Sequence, residues 1–209
     1  ILTPIKTHKI RSIGGTILGT TNTGNFNVRT NKVGRASIDK DVMAKAKKTI
    51  TALGLQALVV IGGDGSAKTA QLLSEEGLPV ISIPKTINND LCVASDYTFG
   101  FQSAVTVVTE SIDRIRTTAN SHQRMMVVEV MGNLSGWIAL HSGISSAADV
   151  VLIPEIAFDL NKVVDCIKAR KAAGQREIIV VVAEGARING HLVTVRNTGN
   201  GDERLGGIG

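Results

Sequence analysis

Hydrophobic positions along the chain follow two periods. Apolar runs recur at residues 57–60, 79–83, 125–130, 150–153 and 178–182, interrupted only by Ser82 and Glu129, each the length of a strand, and the first reads as a buried parallel strand. Between them the apolar residues fall at helical spacing. Ile38, Val42, Ala46, Ile50 and Leu53 share one face of a helix over 37–53, with Lys45, Lys47 and Lys48 off it as a solvated face. Ala67, Ala70, Leu72 and Leu73 mark a second helix. Phe101, Ala104, Val105, Val108, Ile112 and Ile115 mark a third, from residue 98 to about 116, with Arg114 and Arg116 as surface charges near its end. A fourth carries Trp137, Ile138, Leu140 and Ile144, with Ser135 as its cap and Trp137 in the core. A fifth carries Leu160, Val163, Val164 and Ile167. Gly54 is placed to stop the first helix, and residues 14–18 read as a strand entering a loop. Strands alternating with helices predict an α/β fold with parallel sheets covered on both faces.

The strand-to-helix junctions hold the polar chemistry. The stretch Ile61-Gly62-Gly63-Asp64-Gly65-Ser66 joins the strand at 57–60 to the second helix. Glycines there let the backbone approach a ligand, and amides at a helix start are donors to an anion such as phosphate. Asp64 would repel that anion unless a divalent cation such as magnesium lies between them. A tight turn in which Asp64 caps backbone amides fits the same six residues. A second polar junction, Pro84-Lys85-Thr86-Ile87-Asn88-Asn89-Asp90, follows the next strand. The carboxyl ends of neighbouring parallel strands open into one crevice, so the two junctions are expected to face a common ligand.

Composition narrows the classes of function. The 209 residues are 43% apolar and 20% charged, ordinary for a globular protein of one large or two small domains. No run reaches about 18 apolar residues and no charged-then-apolar leader opens the chain, so neither a membrane span nor a secretory signal is expected. Cys92 and Cys166 are far apart and lack zinc spacing, which fits a reduced cytoplasm. His8, His122, His141 and His191 show no metal spacing and receive no role. The formal charge is +5, but aromatics are 3% and the basic residues are dispersed, so anionic metabolites fit better than nucleic acid.

GGDGS at 62–66, PKTINND at 84–90, SDYTFGF at 95–101, SHQR at 121–124, MGNLSGW at 131–137 and VAEGA at 182–186 together resemble the phosphofructokinase family, in its order and at its spacing, from about residue 13 to the last. The resemblance implies a three-layer αβα fold with two similar Rossmann-like domains. Residues 1–100 would form the nucleotide and Mg-phosphate domain and residues 101–209 the fructose 6-phosphate domain. Both would be incomplete, because the family has a strand with a GGDxPGLN-like loop ahead of this start and an LGxxQRGG-like motif beyond this end. The implied reaction is ATP-dependent phosphorylation of fructose 6-phosphate to the 1,6-bisphosphate, in a homodimer or homotetramer.

By resemblance, Gly63, Asp64, Gly65, Ser66, Asn22 and Thr23 face the phosphoryl donor, and Asp64 and Asp90 hold Mg2+. Lys85, Asn88 and Asp90 occupy the catalytic stretch. Thr86, Asn88, Arg124, Met131, Gly132, Asn133 and Glu184 line the sugar phosphate, Arg124 reaching across a subunit contact. Ordinary roles also fit: a polar loop for Asn22, a surface arginine for Arg124, a capping or solvated carboxylate for Glu184. Three positions depart from the family. Asn22 and Asn133 stand where it has arginines, and Asn88 stands for the aspartate that takes the hydroxyl proton. An amide can accept a phosphate hydrogen bond but neither neutralises charge nor takes that proton. Gly65, in place of the aspartate of pyrophosphate users, favours ATP, whereas Lys85 is typical of pyrophosphate users, though some ATP users pair GGDG with PKT. The readings are therefore a catalytic ATP-dependent phosphofructokinase, a non-catalytic regulatory subunit that binds sugar phosphate or nucleotide, a pyrophosphate-dependent enzyme, and an unrelated α/β binding module.

Overall fold

The structure is a computed structural model and describes residues 3–17, 19, 20, 29, 30, 36–91, 97–198 and 202–209. In chain order it runs through helix α1 (Pro4–Thr7), a 3-10 turn (Ile10–Ser12), strands β1 (Arg29–Thr30) and β2 (Ala36–Ser37), helix α2 (Lys40–Ala52), β3 (Leu58–Gly62), α3 (Asp64–Glu75), β4 (Val80–Thr86), β5 (Phe99–Gly100) and α4 (Phe101–His122). It continues through β6 (Met125–Val130), α5 (Trp137–Ser145), β7 (Val150–Leu152), α6 (Leu160–Ala172), β8 (Ile178–Ala183) and the short strands β9 (Arg187–Ile188), β10 (His191–Leu192), β11 (Thr194–Thr198) and β12 (Asp202–Leu205). Two three-stranded sheets, in the orders β3-β4-β5 and β6-β8-β7, form the α/β framework that the alternation predicts. The pairings β4 to β5, β6 to β8 and β7 to β8 are parallel.

The chain divides into two compact units, residues 1–59 with 68–81, and residues 60–67 with 82–209. In the first, Ile38, Met43 and Leu73 are buried together, with Val42, Leu58, Leu72, Leu78 and Val80 against them. Asp39 caps α2 by accepting from the Asp41 amide at 2.9 Å, so the helix starts three residues later than its apolar spacing predicts. Gly54 follows it at φ +62°, the left-handed step that ends the helix. Lys47 Nζ lies 2.6 Å from Glu76 Oε2, and that hydrogen bond, with the lysine charge, holds the Glu76 carboxyl below the usual carboxylate range.

The second unit is organised on β8, all six of whose residues are buried. It is the central strand of its sheet, paired from Met125↔Ile178 to Val130↔Ala183 on one side and from Val150↔Val180 to Leu152↔Val182 on the other. Phe101, Val105, Ile112 and Ala119 of α4 and Ile138 and Ala139 of α5 pack with Ile179, Val181 and Ala183 in one cluster. Asp149, ahead of β7, accepts from Arg170 Nη1 at 2.8 Å, Gln175 Nε2 at 2.6 Å and the Ile179 amide at 2.8 Å, tying α6 to the sheet.

Several details differ from the sequence reading. Residues 14–17 form no strand: Ile13 and Ile17 are exposed, so burial does not favour extension, and Gly15 sits at φ +81°. Helix α4 continues to His122 because Ala119 still faces the core, and it ends at Gln123 in the left-handed region. Arg116 is then no terminal surface charge. Its Nη2 donates to the carbonyls of Ser146 and Ala147, just beyond the end of α5. Trp137 is 44% exposed, not core. The buried face of α5 is Ile138, Ala139, Ser142 and Gly143, and a Cβ on Gly143 would lie 2.5 Å from Val151 Cγ2. Small residues let this helix approach β7 closely, which leaves Trp137 and Ile144 on the other side.

Candidate active site

Strand β4 runs through Pro84 and Lys85 to Thr86, so Lys85 and Thr86 stand on its carboxyl end instead of in a loop. Pairing with β5 begins at Lys85↔Phe99, just past the proline that lacks an amide donor. Beyond the strand the chain is tied through Asn88, Asn89 and Asp90. Thr86 Oγ1 accepts from the Asn88 amide at 3.3 Å, and the Thr86 carbonyl accepts from Thr98 Oγ1 at 2.7 Å. Asn89, at φ +55°, accepts from the Thr98 amide through Oδ1 at 2.9 Å. Asn88 Nδ2 donates to Asp90 Oδ2 at 3.3 Å, so the two expected site residues touch through their side chains.

The first junction abuts the second. Helix α3 begins at Asp64 itself, which puts Asp64, Gly65 and Ser66 in its first turn and leaves Gly63 as the link from β3. A Cβ on Gly63 would lie 3.6 Å from Thr86 Cβ and 3.7 Å from the Lys85 carbonyl oxygen, ordinary contact that sets this turn against the end of β4. A carboxylate in the first turn of a helix is favoured by the helix dipole whether or not a cation is present.

Beyond β6, Met131 is exposed, and the loop from Gly132 to Gly136, expected to line the sugar phosphate, is held by two carboxylates. Glu184 Oε1 accepts from the amides of Gly132 at 2.9 Å and Asn133 at 2.7 Å. Glu155 Oε1 accepts from the Gly136 amide at 2.8 Å. A Cβ on Gly185 would lie 2.2 Å from the Asn133 carbonyl oxygen, so only glycine admits the loop there. Ser135 does not cap α5. It is buried, and its Oγ donates to the Asn88 carbonyl at 3.2 Å, joining the 132–136 loop to the stretch beyond β4.

Gly63, Lys85, Thr86, Asn88 and Asp90 are thus linked to Gly132, Asn133 and Glu184 through contacts within one compact unit. Arg124 is not. It is exposed and precedes β6, while Gly132 follows that strand, so about 20 Å of extended chain separates them. Asn22, Thr23 and Cys92 lie outside the described residues. Glu155, Asn89 and Thr98 received no role from the sequence. Pro154-Glu155 after an apolar run was the available signal for the first, and the asparagine beside Asn88 for the second. Among the described residues no cluster of three or more His, Cys, Asp or Glu side chains could hold a metal by itself. Two carboxylates on separate junctions do fit magnesium that arrives with phosphates, since it keeps most ligands from substrate and water.

Comparison with known proteins places this arrangement. The Phosphofructokinase family model matches residues 2–203. An ATP-dependent 6-phosphofructokinase of Chloroflexus aggregans is 49% identical over 196 residues, 94% of this chain and 53% of that relative. ATP-dependent 6-phosphofructokinase 2 of Clostridium perfringens is 46% identical over 199 residues, 93% of this chain and 54% of the relative. A pyrophosphate–fructose 6-phosphate 1-phosphotransferase of Amycolatopsis mediterranei is 44% identical over 199 residues, 94% and 54%. The chain spans about half the length of the curated relatives it matches. The solved structure of phosphofructokinase from Saccharomyces cerevisiae superposes with a TM-score of 0.76 at 30% identity, covering 90% of this chain and 27% of that one. With the family match running across nearly its whole length and the solved relative reproducing its fold, this chain belongs to the phosphofructokinase family.

Proposed function

We propose that this chain carries the phosphoryl-transfer site of an ATP-dependent 6-phosphofructokinase, which moves the γ-phosphoryl group of ATP to the 1-hydroxyl of fructose 6-phosphate in the cytoplasm. The observation that carries the reading is the Ser135–Asn88 hydrogen bond, because it joins the loop assigned to the sugar with the stretch assigned to catalysis. Gly63, Asp64, Gly65 and Ser66 serve the donor phosphates, together with Asn22 and Thr23. Thr86, Met131, Gly132, Asn133 and Glu184 orient the sugar phosphate. Lys85 supplies positive charge, and Asp64 and Asp90 would hold Mg2+, which when bound offsets phosphate charge. In-line transfer needs mainly positioning and neutralisation, so residues that set the angle between sugar and donor carry most of the rate. The two functions divide near residue 100, where β5 ends and α4 begins. No described helix is long and apolar enough to cross a membrane.

The test is turnover of fructose 6-phosphate with ATP by the full-length protein. A second reading, a non-catalytic subunit that binds the sugar phosphate and regulates a partner, draws on Asn88, whose side-chain amide donates to Asp90 where a base would accept. Saturable binding of fructose 6-phosphate without turnover selects it. Neither binding nor turnover sinks both.

On the donor, ATP should support faster turnover than pyrophosphate, since the Gly65 position leaves open space within 4 Å of where a side chain would start. The Gly65→Asp variant should lower kcat/KM for ATP by about tenfold or more through like-charge repulsion with the nucleotide phosphates. Steady-state rates with each donor decide, and equal or better use of pyrophosphate by the wild type overturns the assignment.

On assembly, the exposed Arg124 at the far end of β6 cannot serve this chain's own sugar loop, so the full-length protein should be at least a homodimer, and a homotetramer fits equally. Sedimentation velocity reads this directly. A monomer that binds fructose 6-phosphate, with Arg124→Ala leaving that affinity unchanged, would remove Arg124 from the site.

A further inference from the structure

Glu155 stands just beyond β7, outside every residue assigned to substrate, and its contacts point to the sugar-phosphate loop. One carboxylate oxygen accepts from the Gly136 amide at 2.8 Å, at the N-cap of α5, which has no side-chain cap of its own. The other lies where a side chain on residue 136 would begin: a Cβ on Gly136 would be 2.6 Å from Glu155 Oε2 and 2.5 Å from Ile153 Cβ. The loop is therefore clasped from both sides. Glu184 grips its start at Gly132 and Asn133 from the end of β8, and Glu155 grips its end at Gly136 from the end of β7. Buried Ser135, which carries the link to Asn88, lies between the two grips. A carboxylate at the start of a helix also gains from the helix dipole, which holds it in place without a cation.

We propose that Glu155 is a positioning residue for this site: it fixes the C-terminal end of the Gly132–Gly136 loop, and with it Ser135, so that the loop amides are preorganised for the sugar phosphate. The inference rests on the reading of this loop as the fructose 6-phosphate side. What Glu155 contributes is an acceptor atom in a set place, so the amide of glutamine can replace it and a shorter or absent side chain cannot.

The experiment compares wild type, Glu155→Ala, Glu155→Asp and Glu155→Gln in the full-length protein by hydrogen exchange over residues 132–137 and by calorimetric titration with fructose 6-phosphate and, separately, with ATP. The alanine and aspartate variants are expected to exchange the loop amides about tenfold faster and to bind the sugar phosphate about tenfold more weakly, with ATP affinity within about twofold. Glutamine is expected to restore both within about threefold. Should the alanine variant not fold, the aspartate and glutamine pair carries the same comparison. Unchanged loop exchange overturns the brace. Faster exchange with undiminished sugar-phosphate affinity overturns its role in the site, and equal losses in the glutamine and aspartate variants would show charge, not position, to be the contribution. Wild type that binds no fructose 6-phosphate sinks the phosphofructokinase reading itself, and the exchange arm then upholds or sinks the brace by itself.

Discussion

Replacing Asn88 by aspartate in the full-length protein is expected to raise its turnover number by about tenfold or more, equivalent to about 1.4 kcal/mol of barrier, with little change in KM for fructose 6-phosphate. The backbone at this position is held independently of the side chain. The Asn88 amide donates to Thr86 Oγ1 and its carbonyl accepts from Ser135 Oγ. A carboxylate of nearly the same shape therefore enters without moving the loop. The change is confined to the contact with Asp90, where the Asn88 side chain now acts as donor at 3.3 Å. A donor in that place cannot take the proton of the attacking hydroxyl, and a positioned base is worth on the order of 10²–10⁴ in rate. Two carboxylates side by side repel each other, so the gain should depend on magnesium more steeply than the wild-type rate does. The variant should also acquire an acidic limb in its pH–rate profile, rising as the introduced carboxyl ionises, which an amide cannot produce. Steady-state kinetics over pH and magnesium concentration check all three. If wild type already turns over at roughly 1–100 per second, the amide is not limiting and this account of the base is wrong.

The second large effect is expected at Glu184. Alanine there should weaken binding of fructose 6-phosphate by about tenfold to a hundredfold while leaving ATP affinity within about twofold. One carboxylate oxygen, Oε1, satisfies the amides of both Gly132 and Asn133, and hydrogen bonds to a charged group are worth about 1.5–3 kcal/mol each. Gly132 is buried, so its amide has no easy recourse to water once the acceptor is gone. The expected place beside the sugar phosphate and the observed grip on the loop are compatible, since both loop amides use Oε1 and a carboxylate has a second oxygen. Glu184→Gln keeps an acceptor and should lose less than alanine. Calorimetric titration of both variants decides: alanine within about threefold of wild type would mean that the loop keeps its shape unaided and that the sugar does not need this carboxylate.

Much of the framework was legible because apolar runs mark strands whether one face is covered or both: β3 and β6 leave Val59, Ile61, Met125 and Val127 exposed on one face. The run Ile178–Ala183 is apolar throughout and is the fully buried centre of its sheet. The hairpin of β9 and β10 has an equally local signal. Asn189 and Gly190 both take positive φ, at 50° and 86°, the turn that an Asn-Gly pair between two short strands announces. Other features were not legible. Ser135 has the residue type of a helix cap, and only the arrival of β4 beside it offers the Asn88 carbonyl as a better partner. Trp137 has the residue type of a core, and only the closeness of α5 to β7 shows that small residues fill that face.

The alternation of strand and helix, the glycine junctions at 61–66 and 132–136 and the neutral residue at position 88 can be read along the chain, because each depends on neighbours within a few residues or on the identity of one side chain. Which acceptor the buried amides of Gly132 and Gly136 and the Ser135 hydroxyl meet is fixed by packing between distant elements. Glu155, Glu184 and Ser135 act on partners 19, 51 or 52, and 47 residues away in the chain. A hydrogen bond needs its atoms within about 3 Å, and no local pattern encodes a separation that the packing of parallel strands alone creates.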